Sequence, residues 1–496
     1  MIINCQFIGY HKKYGSKIIL IFFVFFIIFY IHYFIISETS DSLRSQNNLV
    51  IFWSLLTIFV IFLIIRLVKF NLTSFLVIFS LGIFTYFPAA ALLNLILSES
   101  AIDYNLWMTA DLAQLSAFVG LIGFYLGAAF HKMNIKSRSL TPMIHNVVEF
   151  TFPSAFTNGF LVSFLAVVAL LKLSLGTYYH GSTGLYQFDN AIYNNLFRWI
   201  SSIGYIGIFF QLGKWLVSKK QRDFILLVIF LSIAIGIFLP TGSRTAAIGF
   251  LPLILLLYSR WEKNRLRLFL LSGGALFIIV IIIVSGQLVR ASNTTIGKSS
   301  TISGAFSLYS STVIEQSSTA FEENTMTDFV ARLSDFRAVG RVIDWTPDRL
   351  PYRWLDGVDT WWQIAVPKFL RPVENLINFQ DGAVQVVRYG IYGGGSSPIM
   401  IFGDLFSRFG WIGLFLGMFF LGAILCGLDF YFHNKGPAFR LALWVLISPL
   451  IYNFATSTLL VVVTSLTRDL LIVFIISKLI IKFTLLRSNL VNIRKL

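Results

Sequence analysis

The chain has 496 residues, of which 56% are hydrophobic and 12% charged, and its mean hydropathy is +0.77. Soluble domains carry about a quarter charged residues, so the composition excludes a soluble globular protein and indicates an integral membrane protein. The net charge of +16 does not point to nucleic acid, because most positives outside one long loop flank apolar runs on a single side. Cys5 and Cys426 alone, one near the N-terminus and one inside an apolar run, give neither a disulfide framework nor a cysteine-based metal site.

A membrane span needs roughly 20 apolar residues. Twelve are predicted, at 18–37, 50–69, 73–97, 112–130, 154–175, 193–213, 222–239, 244–259, 267–287, 403–429, 437–455 and 458–480. The first follows Lys12, Lys13 and Lys17, is too long for a signal-peptide core and lacks a small-x-small cleavage site, so it reads as a retained span. The connections alternate in charge. Lys132/Lys136/Arg138 and Arg260/Lys263/Arg265/Arg267 are typical of the basic set, whereas the segment from Glu99 to Asp111 is acidic. The positive-inside rule then makes both termini cytoplasmic and the long loop external. The expected fold is an all-α polytopic membrane protein with about 12 spans. Residues 1–287 hold spans one to nine, 288–398 form the external loop subdomain, and 399–496 hold a re-entrant segment and the last three spans.

Charge outside the loop is sparse. His180 lies in a longer external connection that could line a cavity, and it reads equally well as a surface residue. Arg198 sits about one turn inside the outer end of the sixth span, where charge is expensive and normally faces a cavity or a partner. Arg244 follows the turn Pro240-Thr-Gly-Ser243 on the external side, with Ser243 able to cap the next helix. A guanidinium beside a helix N-terminus suits a phosphate or pyrophosphate; the alternative is an arginine snorkelling to lipid phosphate.

The long loop carries Arg290, Arg332, Arg337, Arg341, Arg349, Arg353, Arg371 and Arg388 among nearly balancing acids. Thr327 to Arg341 is predicted helical, with a capping-box start at Thr325 and Asp328, an apolar stripe of Phe329, Leu333 and Phe336, and Arg337 and Arg341 together on another face. That pair is the best anion grip in the loop; solvated surface charge is the alternative for all its arginines. Trp354 to Trp362 reads as a short interfacial helix. From Pro398 to Asp429 is too long for one span, so residues 399–409 are expected to form a separate or re-entrant piece. Asp404 and Arg408 within it stand at i and i+4. They can pair structurally, which is the reading favoured, or Asp404 can act as a general base toward a sugar hydroxyl.

Other patterns fail. Gly297-Lys-Ser-Ser300 lacks the first glycine of a P-loop, the histidines show no metal-ligand spacing, and no G-x-S-x-G elbow occurs. No metal is assigned.

The layout resembles the bacterial O-antigen polymerases, which join oligosaccharide repeat units. The resemblance rests on about twelve spans, one large late external loop, Thr241-Gly-Ser-Arg244-Thr-Ala-Ala, and the run Ser396-Ser-Pro-Ile through Gly403-Asp404 to Phe409-Gly410-Trp-Ile-Gly413. An arginine-x10-glycine signature known in some members is matched once, by Arg371 and Gly382. The resemblance implies a GT-C-like architecture in the bacterial inner membrane. It also implies a glycosyltransferase, without cofactor, metal or nucleotide, working at the periplasmic face. Its donor and acceptor would be glycans on undecaprenyl pyrophosphate, and a flippase and a chain-length regulator would be its partners; no nucleic acid is involved. Arg244, with Arg198 or Arg290, would stabilise the leaving pyrophosphate. Asp404, with Asp335 or His180 in reserve, would assist the acceptor hydroxyl. Arg337, Arg341, Arg371, Arg388 and Arg408 complete the substrate-binding set. An O-antigen ligase and a lipid-linked oligosaccharide flippase are the alternatives.

Overall fold

The computed structural model describes residues 42–68, 74–97, 107–134, 177–180, 185–188, 207–215, 218–238, 336–355, 399–433, 444, 447–459 and 462–463, with 266 and 274 singly. The predicted spans at 18–37, 154–175, 244–259 and 267–287 lie essentially outside them, as does most of those at 193–213 and 458–480.

Four helices among the described residues are long and apolar enough to cross a membrane: Gln46–Leu67, Phe75–Leu95, Ala110–Met133 and Met400–Tyr431. They belong to helix α1 (Ser42–Leu67), the continuous helix α2 (Phe75–Phe84) and α3 (Ala90–Leu97), helix α4 (Ala110–Asn134), and helix α7 (Met400–His433). Helix α5 (Gln221–Phe238) matches the predicted seventh span, and α6 (Phe336–Trp345) comes from the long loop. One element departs from the all-helical expectation. Strand β1 (Thr177–His180) pairs antiparallel with β2 (Leu185–Phe188), His180 opposite Leu185.

Between α2 and α3 the chain makes one π-helical stretch, Thr85–Ala89, around Pro88. Proline has no N–H and its ring crowds the preceding turn, so a wider turn lets the helix pass without breaking. Gln114 Nε2 of α4 donates to the Phe87 carbonyl there at 3.1 Å.

Glycines let α4 and α7 approach closely. A Cβ on Gly123 would lie 2.5 Å from the Phe415 carbonyl oxygen, one on Gly127 1.9 Å from that of Phe419, and one on Gly422 2.1 Å from that of Phe124. Gly123 and Gly127 form a G-x-x-x-G pair, the spacing that puts two bare backbone patches on one face. The matched residues ascend together in number, so α4 and the second part of α7 run parallel. The core between these helices is made by Phe79, Phe124, Leu121, Leu414 and Met418.

Polar contacts gather at the two ends of this bundle. At one end Gln46 Nε2 donates to the Met108 carbonyl at 2.9 Å and to Asp111 Oδ1 at 2.6 Å, and Trp107 Nε1 donates to Asn47 Oδ1 at 2.8 Å. At the other, Lys132 Nζ donates to the last carbonyl of α1, Leu67. There too the Asp429 carboxylate accepts from Ser74 Oγ and, at 3.0 Å, from the Phe75 N–H. The Lys132 and Phe75 contacts fill terminal backbone groups that the helices themselves leave unpaired.

Candidate functional site

Helix α6 seats the long loop on the first of these ends. Its apolar side chains Phe336, Val339, Val342 and Ile343 are buried, spaced for a single helical face. Phe336 lies with its ring centroid 6.3 Å from those of both Phe87 and Trp107. Gly340 meets the start of α4 so closely that a Cβ would sit 1.8 Å from the Thr109 carbonyl oxygen, while the Val339 backbone faces Gly403 of α7. The predicted helix stopped at Arg341, and its stretch 327–335 lies outside the described residues. The observed helix continues to Trp345, because the apolar face extends through Val342 and Ile343 before Pro347 intervenes.

α7 is two helices. Gly410, at φ +65° and ψ −156°, breaks the hydrogen-bond ladder between residues 400–409 and 411–433. A positive φ of this kind suits glycine and few other residues. The first piece folds back along the second: Phe402 meets Gly120, Leu405 meets Gly417, and the Phe406 and Trp411 rings stand edge to face at 5.1 Å. The separate piece expected before the tenth span is therefore present, with its break at Gly410.

Inside the angle between these pieces lies a three-charge cluster. Asp404 Oδ1 accepts from Arg353 Nη1 at 3.1 Å and from Arg408 Nε at 3.1 Å. Asp404 Oδ2 accepts from the Leu459 N–H at 2.8 Å. Arg408 Nη1 donates onward to the Trp354 carbonyl at 3.2 Å. The side chains of Asp404, Arg408 and Arg353 are 0%, 0% and 2% exposed. One carboxylate thus serves two guanidiniums at a buried site. Such a site is costly to assemble unless its hydrogen bonds are made, and costlier still to leave half-made.

The i, i+4 pair Asp404–Arg408 thus forms. The sequence did not single out Arg353 as its third member. Both Asp404 oxygens are taken by donors and neither is exposed, so in this conformation the carboxylate ties three chain segments together instead of facing a cavity.

The two arginines expected to grip an anion on α6 have different surroundings. Arg337 is buried at 6% exposure. Arg341 is half-buried, with its guanidinium carbon 4.5 Å from the centre of the Trp345 ring, and Arg349 lies 5.2 Å from the same ring. Cations so placed are held by the ring quadrupole. His180 is placed by its backbone at the end of β1. Arg198, Arg244, Arg290, Asp335, Arg371 and Arg388 lie outside the described residues, as do residues 356–362 of the expected interfacial helix. Among the described residues no group of three His, Cys, Asp or Glu side chains is placed to hold a metal.

No family model, no curated protein and no solved structure matches the chain.

Proposed function

We propose that the protein is a lipid-linked oligosaccharide repeat-unit polymerase, with about twelve spans, of the bacterial inner membrane. The observation that carries the reading is the junction at Gly410. There residues 351–355 of the late loop cross the break in α7 and meet the buried Asp404, Arg353 and Arg408 cluster. Ionisable groups buried in a membrane bundle are rare and are functional by default. The Thr241-Gly-Ser-Arg244 turn supports the same reading from the sequence.

In this mechanism the acceptor sugar's hydroxyl attacks the donor's anomeric carbon and undecaprenyl pyrophosphate leaves. Arg244, with Arg198 or Arg290, stabilises the charge that develops on the leaving group. Arg371 and Arg388 bind substrate from the loop, and Asp335 or His180 accepts the hydroxyl proton. Asp404, tied as it is, holds the arginines in place. A flippase would supply the acceptor and a chain-length regulator would set the product length.

Purified protein in liposomes, given lipid-linked repeat units, tests the proposal. Lengthening of the lipid-linked glycan is the expected result, and Arg244→Ala should slow it by about 10²- to 10³-fold while leaving the protein monodisperse. Normal ladders from that variant remove Arg244 from the mechanism. Transfer to an acceptor other than the lipid-linked repeat unit would indicate a ligase, and movement across the bilayer without a new glycosidic bond would indicate a flippase.

A further inference from the structure

Residues 351–355 leave the end of the α6 region and cross the break in α7. The Arg353 N–H donates to the Ser407 carbonyl at 2.8 Å. In an unbroken helix that carbonyl would accept from Trp411, so the strap completes the helix end that Gly410 opens. The Arg353 guanidinium reaches Asp404, and the Trp354 carbonyl accepts from Arg408. The Tyr352 hydroxyl occupies the space beside Gly410, 2.9 Å from where a Cβ would stand. The Trp354 ring lies edge-on to Phe409 at 5.9 Å. Held on several sides, the strap nevertheless exposes its two largest apolar side chains, Trp354 at 61% and Leu355 at 65%. Trp354 has φ +46°, a left-handed conformation that costs a residue with a Cβ about 1–2 kcal/mol.

The depth of the strap follows from helix packing. Gly123 and Gly127 of α4 meet the carbonyls of Phe415 and Phe419, so Trp411 lies level with about residue 119 of α4, roughly 14 Å along from Ala110. α4 is itself long and apolar enough to cross from Ala110 to Met133, so Trp411 and Ile412 lie inside the apolar crossing and not at its start. Below them Leu416, Phe420 and Ile424 continue the exposed face at every fourth residue, and Ile412 itself is 74% exposed. Such an apolar stripe on a spanning helix suits contact with lipid chains. Trp354, in ring contact with Phe409, lies at the head of it.

We infer that residues 351–355 anchor the loop in the bilayer: Trp354 and Leu355 sit among the lipid acyl chains of the leaflet adjoining the loop, and the Arg353 tie fixes α6 to the bundle there. The loop is thus latched into the bilayer and does not lie over it as a free cover. The inference needs the membrane location only and is independent of the polymerase reading.

The test uses the full chain with Cys5→Ser, since Cys426 is buried. Leu355→Cys and, for comparison, the exposed Asp348→Cys are labelled with bimane and reconstituted in phosphatidylcholine–phosphatidylglycerol liposomes. Lipids brominated on their acyl chains should quench the label at 355 several-fold more than at 348, and iodide should show the reverse order. Iodide quenching at 355 equal to that at 348 overturns the anchor. Adding Arg353→Gln should expose the 355 label to iodide; lipid quenching unchanged by it overturns the latch. Tyr352→Ala makes the same comparison if Arg353→Gln does not yield monodisperse protein.

Discussion

Asp404→Asn separates an anchor from a reacting group. The substitution keeps the size of the side chain and removes its charge. Arg353 and Arg408 then lose the carboxylate they share, at side-chain exposures of 2% and 0%. Removing one partner of a buried ion pair costs about 3–5 kcal/mol. The amide cannot recover this, because its NH₂ must face either the guanidiniums or the Leu459 N–H, donor against donor, and an unmet buried donor costs about 1–3 kcal/mol on its own. A loss of roughly 3–5 kcal/mol should lower the apparent melting midpoint clearly, read by fluorescence-detected gel filtration after heating in lipid nanodiscs. Adding Arg408→Met removes one of the two guanidiniums that lost the carboxylate and should restore part of the loss, with a coupling of about 0.5–3 kcal/mol. An Asn variant that melts like the parent but no longer extends glycan would refute the reasoning and make Asp404 a participant in the reaction.

Three further outcomes follow from the close contacts. Gly127→Val should cost about 1–3 kcal/mol or more in the same melting assay, because a Cβ meets the Phe419 carbonyl oxygen at 1.9 Å; Gly427→Ala should be nearly neutral, since it meets only the His131 ring at 3.1 Å. Gly410→Ala should cost about 1–3 kcal/mol, because φ +65° with ψ −156° is a backbone region open to essentially only glycine, with more from the displaced Tyr352; no change would mean that the break does not require glycine. Asp429→Asn should lower the midpoint by about 0.5–2 kcal/mol as a lost cap, because one of its two acceptor oxygens, held by Ser74 and Phe75, becomes a donor.

The described spans were legible because their signal is length and apolarity, which need no knowledge of neighbours. The predicted 73–97, 112–130 and 222–239 compare with Phe75–Leu97, Ala110–Asn134 and Gln221–Phe238. The break before the tenth span was legible for the same reason, as an apolar run too long for one crossing. Within the site, Asp404–Arg408 was readable because the helix repeat puts i beside i+4. Arg353 was not, since it reaches Asp404 across 51 positions and looks like any other loop arginine until the chain folds. The hairpin at 177–188 escaped because two four-residue strands carry little pattern, and the π-helical turn escaped because Pro88 in an apolar run predicts a kink or a stop before it predicts a wider turn.

The direction of the chain carries a constraint that no single helix shows. α1 and α4 are parallel: Gln46 meets Met108 at one end, and Leu67 meets Lys132 at the other. The helix formed by α2 and α3 must return between them, one crossing, as its length allows. α4 and the second part of α7 are parallel as well. A chain that enters both from the same side must cross back an odd number of times between residues 135 and 410. The five predicted spans in that interval satisfy the rule, and four or six would not. The basic residues agree with this assignment, since Arg66 stands in the last turn of α1 and His131 and Lys132 in that of α4, at the ends away from α6. In the proposed topology the positive-inside rule gives that end to the cytoplasm and leaves the Asp404 cluster and the strap toward the opposite face.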